Sequence, residues 1–241
     1  MMTDNDEKVG LIAVGASAGG VEALTRLVSG LPSDLAYLVV VVLHLPADAP
    51  SALARILDRA GPLPSTTATN GVELKPGTIY VGVPDRQLVE EHRILLTEGP
   101  TENGHRPAIN ALFRSAALAY GSRAVSVLLS GVLDDGVLGS AAIKSRGGVT
   151  IAQTPSDALF PAMPANAIAA GVIDHQAPVA RMGDIGQPKC RGARDGTRRV
   201  HGVGEPYRQV GPFRHRFRHG DARPAVRLYL PGLQRFVGVG R

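Results

Sequence analysis

The run "AYLVVVVLH", residues 36–44, constrains the fold more than any other stretch of the chain. Consecutive apolar, β-branched residues with no polar alternation read as a strand buried on both faces, which places it inside a parallel sheet with helices on each side. The apolar span 35–45 is too short to cross a bilayer as a helix. A strand of this type needs similar neighbours and intervening helices, and the sequence supplies both.

Residues 9–14 form a first apolar run, followed by a helical pattern over 21–29 with Ala23, Leu24, Leu27 and Val28 on one face. Residues 51–61, "SALARILDRAG", have a serine start, a Leu53/Ile56/Leu57 stripe and a glycine stop, which predicts a second helix. Three short runs, 78–81, 87–89 and 93–97, surround Pro84-Asp85 and predict a meander or hairpin at one edge of the sheet. Helix 109–121, strand 124–130, helix 137–146 and strand 149–153 continue the alternation, and a short helix is expected over 165–170. A last helix starts near Pro178, but its apolar pattern stops after Ile185. The expectation is a doubly wound α/β fold: a mostly parallel sheet with helices on both faces and an antiparallel edge hairpin.

The chain has 241 residues and a net charge of +5, unevenly placed: residues 1–186 carry −5 and residues 187–241 carry +10. The basic segment is rich in Arg, Gly and Pro, without helical or strand period. It reads as a disordered tail or as a gene read out of frame, separate from a domain spanning 9–186. Clustered Arg can bind phosphates weakly, yet the rest of the chain is acidic and lacks a recognition motif, which argues against a nucleic-acid partner. The single cysteine, Cys190, excludes an internal disulfide. The acidic start "MMTDNDEK" is unlike a secretory signal, so a soluble, cytoplasmic protein without membrane insertion is expected.

The chemistry centres on "VGASAGG", residues 14–20, between the first strand and its helix. A dinucleotide fingerprint would place glycine where Ser17 stands and an acid at the end of the second strand, where the chain has His44. A P-loop would need Gly-Lys-Ser/Thr, and no lysine follows Gly20. None of the five tyrosines has a lysine four places on, which removes a short-chain dehydrogenase. The pattern Gly15-x-Ser17-x-Gly19 does fit a strand-to-helix elbow that exposes a serine hydroxyl.

His44 ends the second strand at the carboxyl edge that also carries the Ser17 turn, where a base would be needed. His92, His105 and His175 lie in hairpin or loop contexts and read as bystanders. Asp134 and Asp135 follow the strand 124–130 at the same edge; one can cap the following helix and the other can orient the histidine. No His/Cys/carboxylate cluster has metal-ligand spacing, and no cofactor is implied.

Six ordered stretches, "IAVGASAGGVEAL", "VVLHLP", "GTIYVGVPDRQL", "HRPAINALFRSAALAYG", "VLLSGVLDDGVLG" and "DALFPAMPANAIAAGVIDH", resemble the catalytic domain of CheB-type chemotaxis protein-glutamate methylesterases over residues 9–186. The resemblance implies Ser17 as nucleophile, His44 as general base and Asp135, directly before its glycine, as the orienting acid. It also implies hydrolysis of glutamyl γ-methyl esters on methyl-accepting chemotaxis receptors, deamidation of receptor glutamines, and a methyltransferase or histidine kinase as further partners. The chain departs from the family pattern at Ala18, at Asn110 where aspartate is usual, and at Gly131-Val132-Leu133 in place of Gly-Met-Gly. Only eight residues precede Val9, so the expectation is a stand-alone esterase domain without the family's phosphorylatable receiver.

Backbone N–H groups of the Ser17 turn and of residues 131–133 are the expected oxyanion donors. The competing function is a signalling module that keeps the fold, is weak or inactive as an enzyme, and binds a receptor, kinase or methyltransferase.

Overall fold

The computed structural model describes residues 9–44, 52–84, 86–90 and 93–186. The predicted tail 187–241, Cys190, the serine start at Ser51, Asp85 and His92 lie outside the described residues.

Strand β1 (Gly10–Ala16) and strand β2 (Tyr37–Leu43) pair in parallel, from Gly10 against Tyr37 to Ala16 against Leu43, joined by helix α1 (Gly20–Ser29). Both strands are almost wholly buried, as an unbroken apolar run requires. Helix α2 (Leu53–Ala60) leads to β3 (Ser65–Thr67) and β4 (Ile79–Val81), and β4 pairs in parallel with both β2 and β3. The antiparallel pair β5 (Gln87–Glu90) and β6 (Arg93–Thr97) follows, and then helix α3 (Ile109–Tyr120). Strand β7 (Ala124–Leu128), helix α4 (Val137–Ser145), strand β8 (Val149–Gln153), helix α5 (Ala162–Ala169) and strand β9 (His175–Ala177) complete the wind, with a 3₁₀ segment Val179–Gly186 after them.

The sheet order is β3-β4-β2-β1-β7-β8-β9, all parallel. Alternate residues of each strand feed two cores. Ile12, Val14, Val39, Val41 and Val127 pack with Leu24, Leu27 and Leu57 of α1 and α2. Leu11, Ala13, Val40 and Leu128 pack with Ile109, Leu112 and Phe113 of α3 and with Met163 of α5. Among the described residues no helix is long and apolar enough to cross a membrane.

Several elements differ from the sequence reading. The run 78–81 enters the main sheet as β4 instead of joining the meander, because Ile79, Tyr80 and Val81 are buried on both faces. The antiparallel hairpin forms, but as a separate two-stranded ribbon; Ile94 ties it to the α3 core. Strands β3 and β9 carry no apolar period in the sequence because they are three residues long, mostly polar, and half-exposed or exposed. Helix α5 starts at Ala162, not 165, since Pro164 falls in its first turn, where proline has no helical hydrogen bond to lose. The final segment is 3₁₀ rather than α.

The chain leaves β1 toward β2 on one side and β7 toward β8 on the other. Their adjacent carboxyl ends therefore flank the crevice in which doubly wound folds build their sites.

Candidate active site

Ser17 sits one residue past β1, and the elbow around it is held by close packing. A side chain at Gly15 would place its Cβ 2.3 Å from Ile109 Cγ2, so glycine lets the start of α3 press against the end of β1. Gly19 has φ +70°, a left-handed conformation that glycine adopts without penalty, and a Cβ there would stand 2.8 Å from Ser130 Oγ. Ser17 N–H donates to Ser130 C=O at 3.0 Å, while Ser130 Oγ donates to Ala18 C=O at 2.8 Å and accepts from Phe160 N–H at 3.0 Å. Ser130 is fixed in turn by the buried Gln153, whose Oε1 accepts the Ser130 N–H at 2.9 Å and whose Nε2 donates to Asp157. The sequence reading missed Ser130 and Gln153, because both act through pairings between distant strand ends.

The structure brings Ser17, His44 and Asp135 together. His44 Nδ1 lies 3.2 Å from Ser17 Oγ, and His44 Nε2 lies 2.8 Å from Asp135 Oδ2. The His44 and Asp135 side chains are 5% and 2% exposed, so water competes little for either contact. Burial pushes the Asp135 pKa up, but hydrogen bonds from His44 and from the Asn110 and Ile109 N–H groups, with the His44 charge, outweigh it and leave the carboxyl below its ordinary value. An ionised Asp135 only accepts, so Nε2 carries the imidazole proton and the Nδ1 lone pair faces the serine hydroxyl. The two nitrogens thus exchange the roles they have in chymotrypsin-type triads. Asp134 is exposed and does not share the His44 contact; its carbonyl accepts from Val137 N–H at 3.2 Å.

His105, read from sequence as a bystander, is stacked on His44 with ring centroids 3.8 Å apart and planes 9° from parallel. It is presented by the tight turn 102–105, with Asn103 and Gly104 both at positive φ and Glu102 ion-paired to Arg114 of α3. Burial pushes the His105 pKa down and the neighbouring His44 charge lowers it further, against an opposing pull from Asp135, so the ring is held toward its neutral form. An Asn-Gly turn was visible in the sequence; its proximity to His44 was not.

Of the expected oxyanion donors, Ser17 N–H is committed to Ser130 and Gly131 N–H to Phe160 C=O at 2.9 Å. The N–H groups of Ala18, Val132 and Leu133 have no acceptor among the described residues. The N–H after the nucleophile is the usual donor at a serine elbow. Gly131 brings the second loop close, since a Cβ there would stand 3.0 Å from Ser17 Cβ. Val132, Leu133, Leu159 and Phe160 expose apolar surface, and Leu159 and Phe160 reach the Gly19 turn beside the serine. Among the described residues no group of three His, Cys, Asp or Glu is placed to hold a metal ion.

With this geometry in place, the comparisons with known proteins fall on one family. A family described as CheB methylesterase matches residues 12–185. The chain is similar to protein-glutamate methylesterase/protein-glutamine glutaminase 3 of Anaeromyxobacter dehalogenans, 40% identical over 68% of this chain and 49% of the relative. It is also similar to protein-glutamate methylesterase/protein-glutamine glutaminase 5 of Myxococcus xanthus, 36% identical over 71% of this chain and 51% of the relative. The chain therefore spans about half the length of the curated relatives it matches. Among solved structures, the catalytic domain of Thermotoga maritima CheB methylesterase matches with a TM-score of 0.71 at 28% identity, over 74% of this chain and 97% of that one.

Proposed function

As the chain belongs to the CheB methylesterase family, we propose that it hydrolyses γ-methyl esters of protein glutamates, with Ser17 as nucleophile, His44 as general base and Asp135 as the acid that orients the base. The observation that carries this reading is the unbroken relay from Ser17 Oγ through both His44 nitrogens to a buried carboxylate.

In the reaction, Ser17 Oγ attacks the ester carbonyl while its proton passes to His44 Nδ1. Asp135 stabilises the imidazolium through Nε2–H. The tetrahedral oxyanion is met by the unengaged N–H of Ala18 and by those of Val132 or Leu133. Collapse expels methanol, which takes the proton from His44 and leaves a glutamyl ester on Ser17. Water then enters, gives its proton to His44 and releases the free glutamate as Ser17 recovers its own. An amide in place of the ester follows the same path, with ammonia as the leaving group, so glutamine deamidation belongs to the same proposal. The substrate proposed is the cytoplasmic part of a methyl-accepting chemotaxis receptor; the names of the relatives support the glutamyl ester and the glutamine amide as the groups cleaved.

The test is methanol release from methylated receptor, together with labelling by a fluorophosphonate probe. Ser17→Ala should lose both, with turnover falling about 10⁵-fold or more. Undiminished turnover would end the assignment. A chain that neither labels nor releases methanol while folded would favour a binding module instead.

A further inference from the structure

Helices α3 and α4 both begin at the site, and neither carries a capping side chain of its own: Ala108 precedes α3 and Gly136 precedes α4 without a side-chain cap hydrogen bond. Each helix is capped by a residue belonging to the other. The Asp135 carboxylate, just before α4, accepts the Ile109 N–H at 2.7 Å and the Asn110 N–H at 2.9 Å, the first free donors of α3. In return the Asn110 side-chain oxygen, on α3, accepts the Gly136 N–H at 3.0 Å and the Gly139 N–H at 2.8 Å, donors of the first turn of α4. Gly139 permits the approach, since a Cβ there would stand 3.1 Å from Asn110 Cα and 2.5 Å from Phe113 Cβ. Gly136 N–H is shared, reaching Asp135 Oδ1 at 2.9 Å as well.

We infer that Asn110 is a positioning residue for the triad acid: its side-chain oxygen fixes the start of α4, and with it the carboxylate that holds His44. The inference rests on the triad reading above and adds a requirement to it. An uncharged acceptor at position 110 leaves the site with a single negative charge, that of Asp135. Asn110 is itself 3% exposed, and its side chain sits where bulk solvent screens little. The charged and titratable groups around it are Asp135 itself, His44 at the end of β2, His105 on the turn 102–105, Arg114 one turn further along α3 and Asp134 at the surface. A second carboxylate at 110 would share the Gly136 N–H with Asp135. It would favour a proton either on that pair or on the imidazole it serves, and each outcome removes the active form at the low-pH end.

Two variants of the full chain test this through the rate at which Ser17 is labelled by a fluorophosphonate, measured from pH 5 to 9 alongside the melting temperature. Asn110→Ala leaves the Gly136 and Gly139 donors without this acceptor and should slow labelling about 30-fold in a protein that still folds. Asn110→Asp restores an acceptor of the same shape. It should label within about threefold of the unaltered chain at pH 9, with the acid limb of its profile moved up by about one pH unit. A side chain not coupled to the Asp135 carboxylate would leave that limb in place. A folded Asn110→Ala chain labelling at the unaltered rate, or an Asn110→Asp chain with an unmoved limb, overturns the inference; if Asn110→Ala does not fold, the Asn110→Asp limb decides alone. Labelling in the unaltered chain separates this failure from that of the triad: its absence at Ser17 would overturn the triad reading and this inference together.

Discussion

The turn that carries Ser17 and the loop that carries Asp135 leave neighbouring parallel strands at the same edge of the sheet, and they are held by different means. The serine turn is fixed largely by backbone: Ser17 N–H to Ser130 C=O, Gly20 N–H to Ser17 C=O, and glycines whose missing side chains let Ile109, Leu43 and Ser130 close in, with one side-chain bond from Ser130 Oγ to Ala18 C=O. The acid loop is fixed by side chains and helix ends, through the exchanged caps of Asp135 and Asn110. Between Gly131 and Asp135 that loop exposes Val132, Leu133 and Asp134. A turn built from backbone contacts tolerates almost no substitution at its glycines. A loop whose side chains between its ends are exposed can vary there, which is where the chain departs from Gly-Met-Gly.

The sharpest break of this contrast lies within two adjacent residues of the acid loop. Asp135→Asn keeps the shape but offers an amide where His44 Nε2–H needs an acceptor with charge, and kcat should fall about 10⁴-fold. Asp134→Asn alters an exposed side chain and should leave kcat within about twofold. Steady-state demethylation of both variants checks this; equal losses would show that the loop acts as one unit instead of through a single pinned carboxylate.

The serine turn should be the less forgiving of the two at a position with no chemical role. Gly19→Ala forces an L-residue to φ +70°, which costs about 1–2 kcal/mol, and sets its Cβ 2.8 Å from Ser130 Oγ and 3.0 Å from Leu159 Cβ. Ser130 Oγ also bonds to Ala18 C=O, so relief of the clash moves the turn that carries Ser17. A displacement near an ångström costs about 100-fold in kcat. A Gly19→Ala enzyme with unchanged kcat would show that the turn yields where close packing says it should not.

How much of this was legible beforehand follows the same division. The serine turn could be read from residues because its requirements are local: small side chains, a strand before and a helix after. His44 and Asp135 could be placed at the same edge because each ends or follows an apolar strand run. The hydrogen-bond order among the three could not be read, nor could His105 over His44, Gln153 behind Ser130 or Asn110 at the start of α4. Each depends on strands or helices that are neighbours only in the sheet order, and strands such as β3 and β9 left no period by which to establish that order.

The smallest effect is expected at Leu133, the middle of the freer loop. Leu133 has φ +64°, in the left-handed region that a branched side chain rarely enters, and it is 58% exposed, so packing returns little for the strain. Its carbonyl accepts the Asn166 side-chain amide at 2.8 Å, which pins the backbone in that conformation whatever side chain is attached. Leu133→Gly removes a left-handed penalty of about 1–2 kcal/mol. It also frees the unfolded chain, at a cost of about 0.5–1 kcal/mol. The two terms leave a net gain of about 0.5–1 kcal/mol, read as a rise in melting temperature of about 1–4 °C for a chain of this size. A fall in melting temperature would mean that the exposed leucine contributes packing that outweighs its strain, and the acid loop would then be as tightly specified between its ends as the serine turn is throughout.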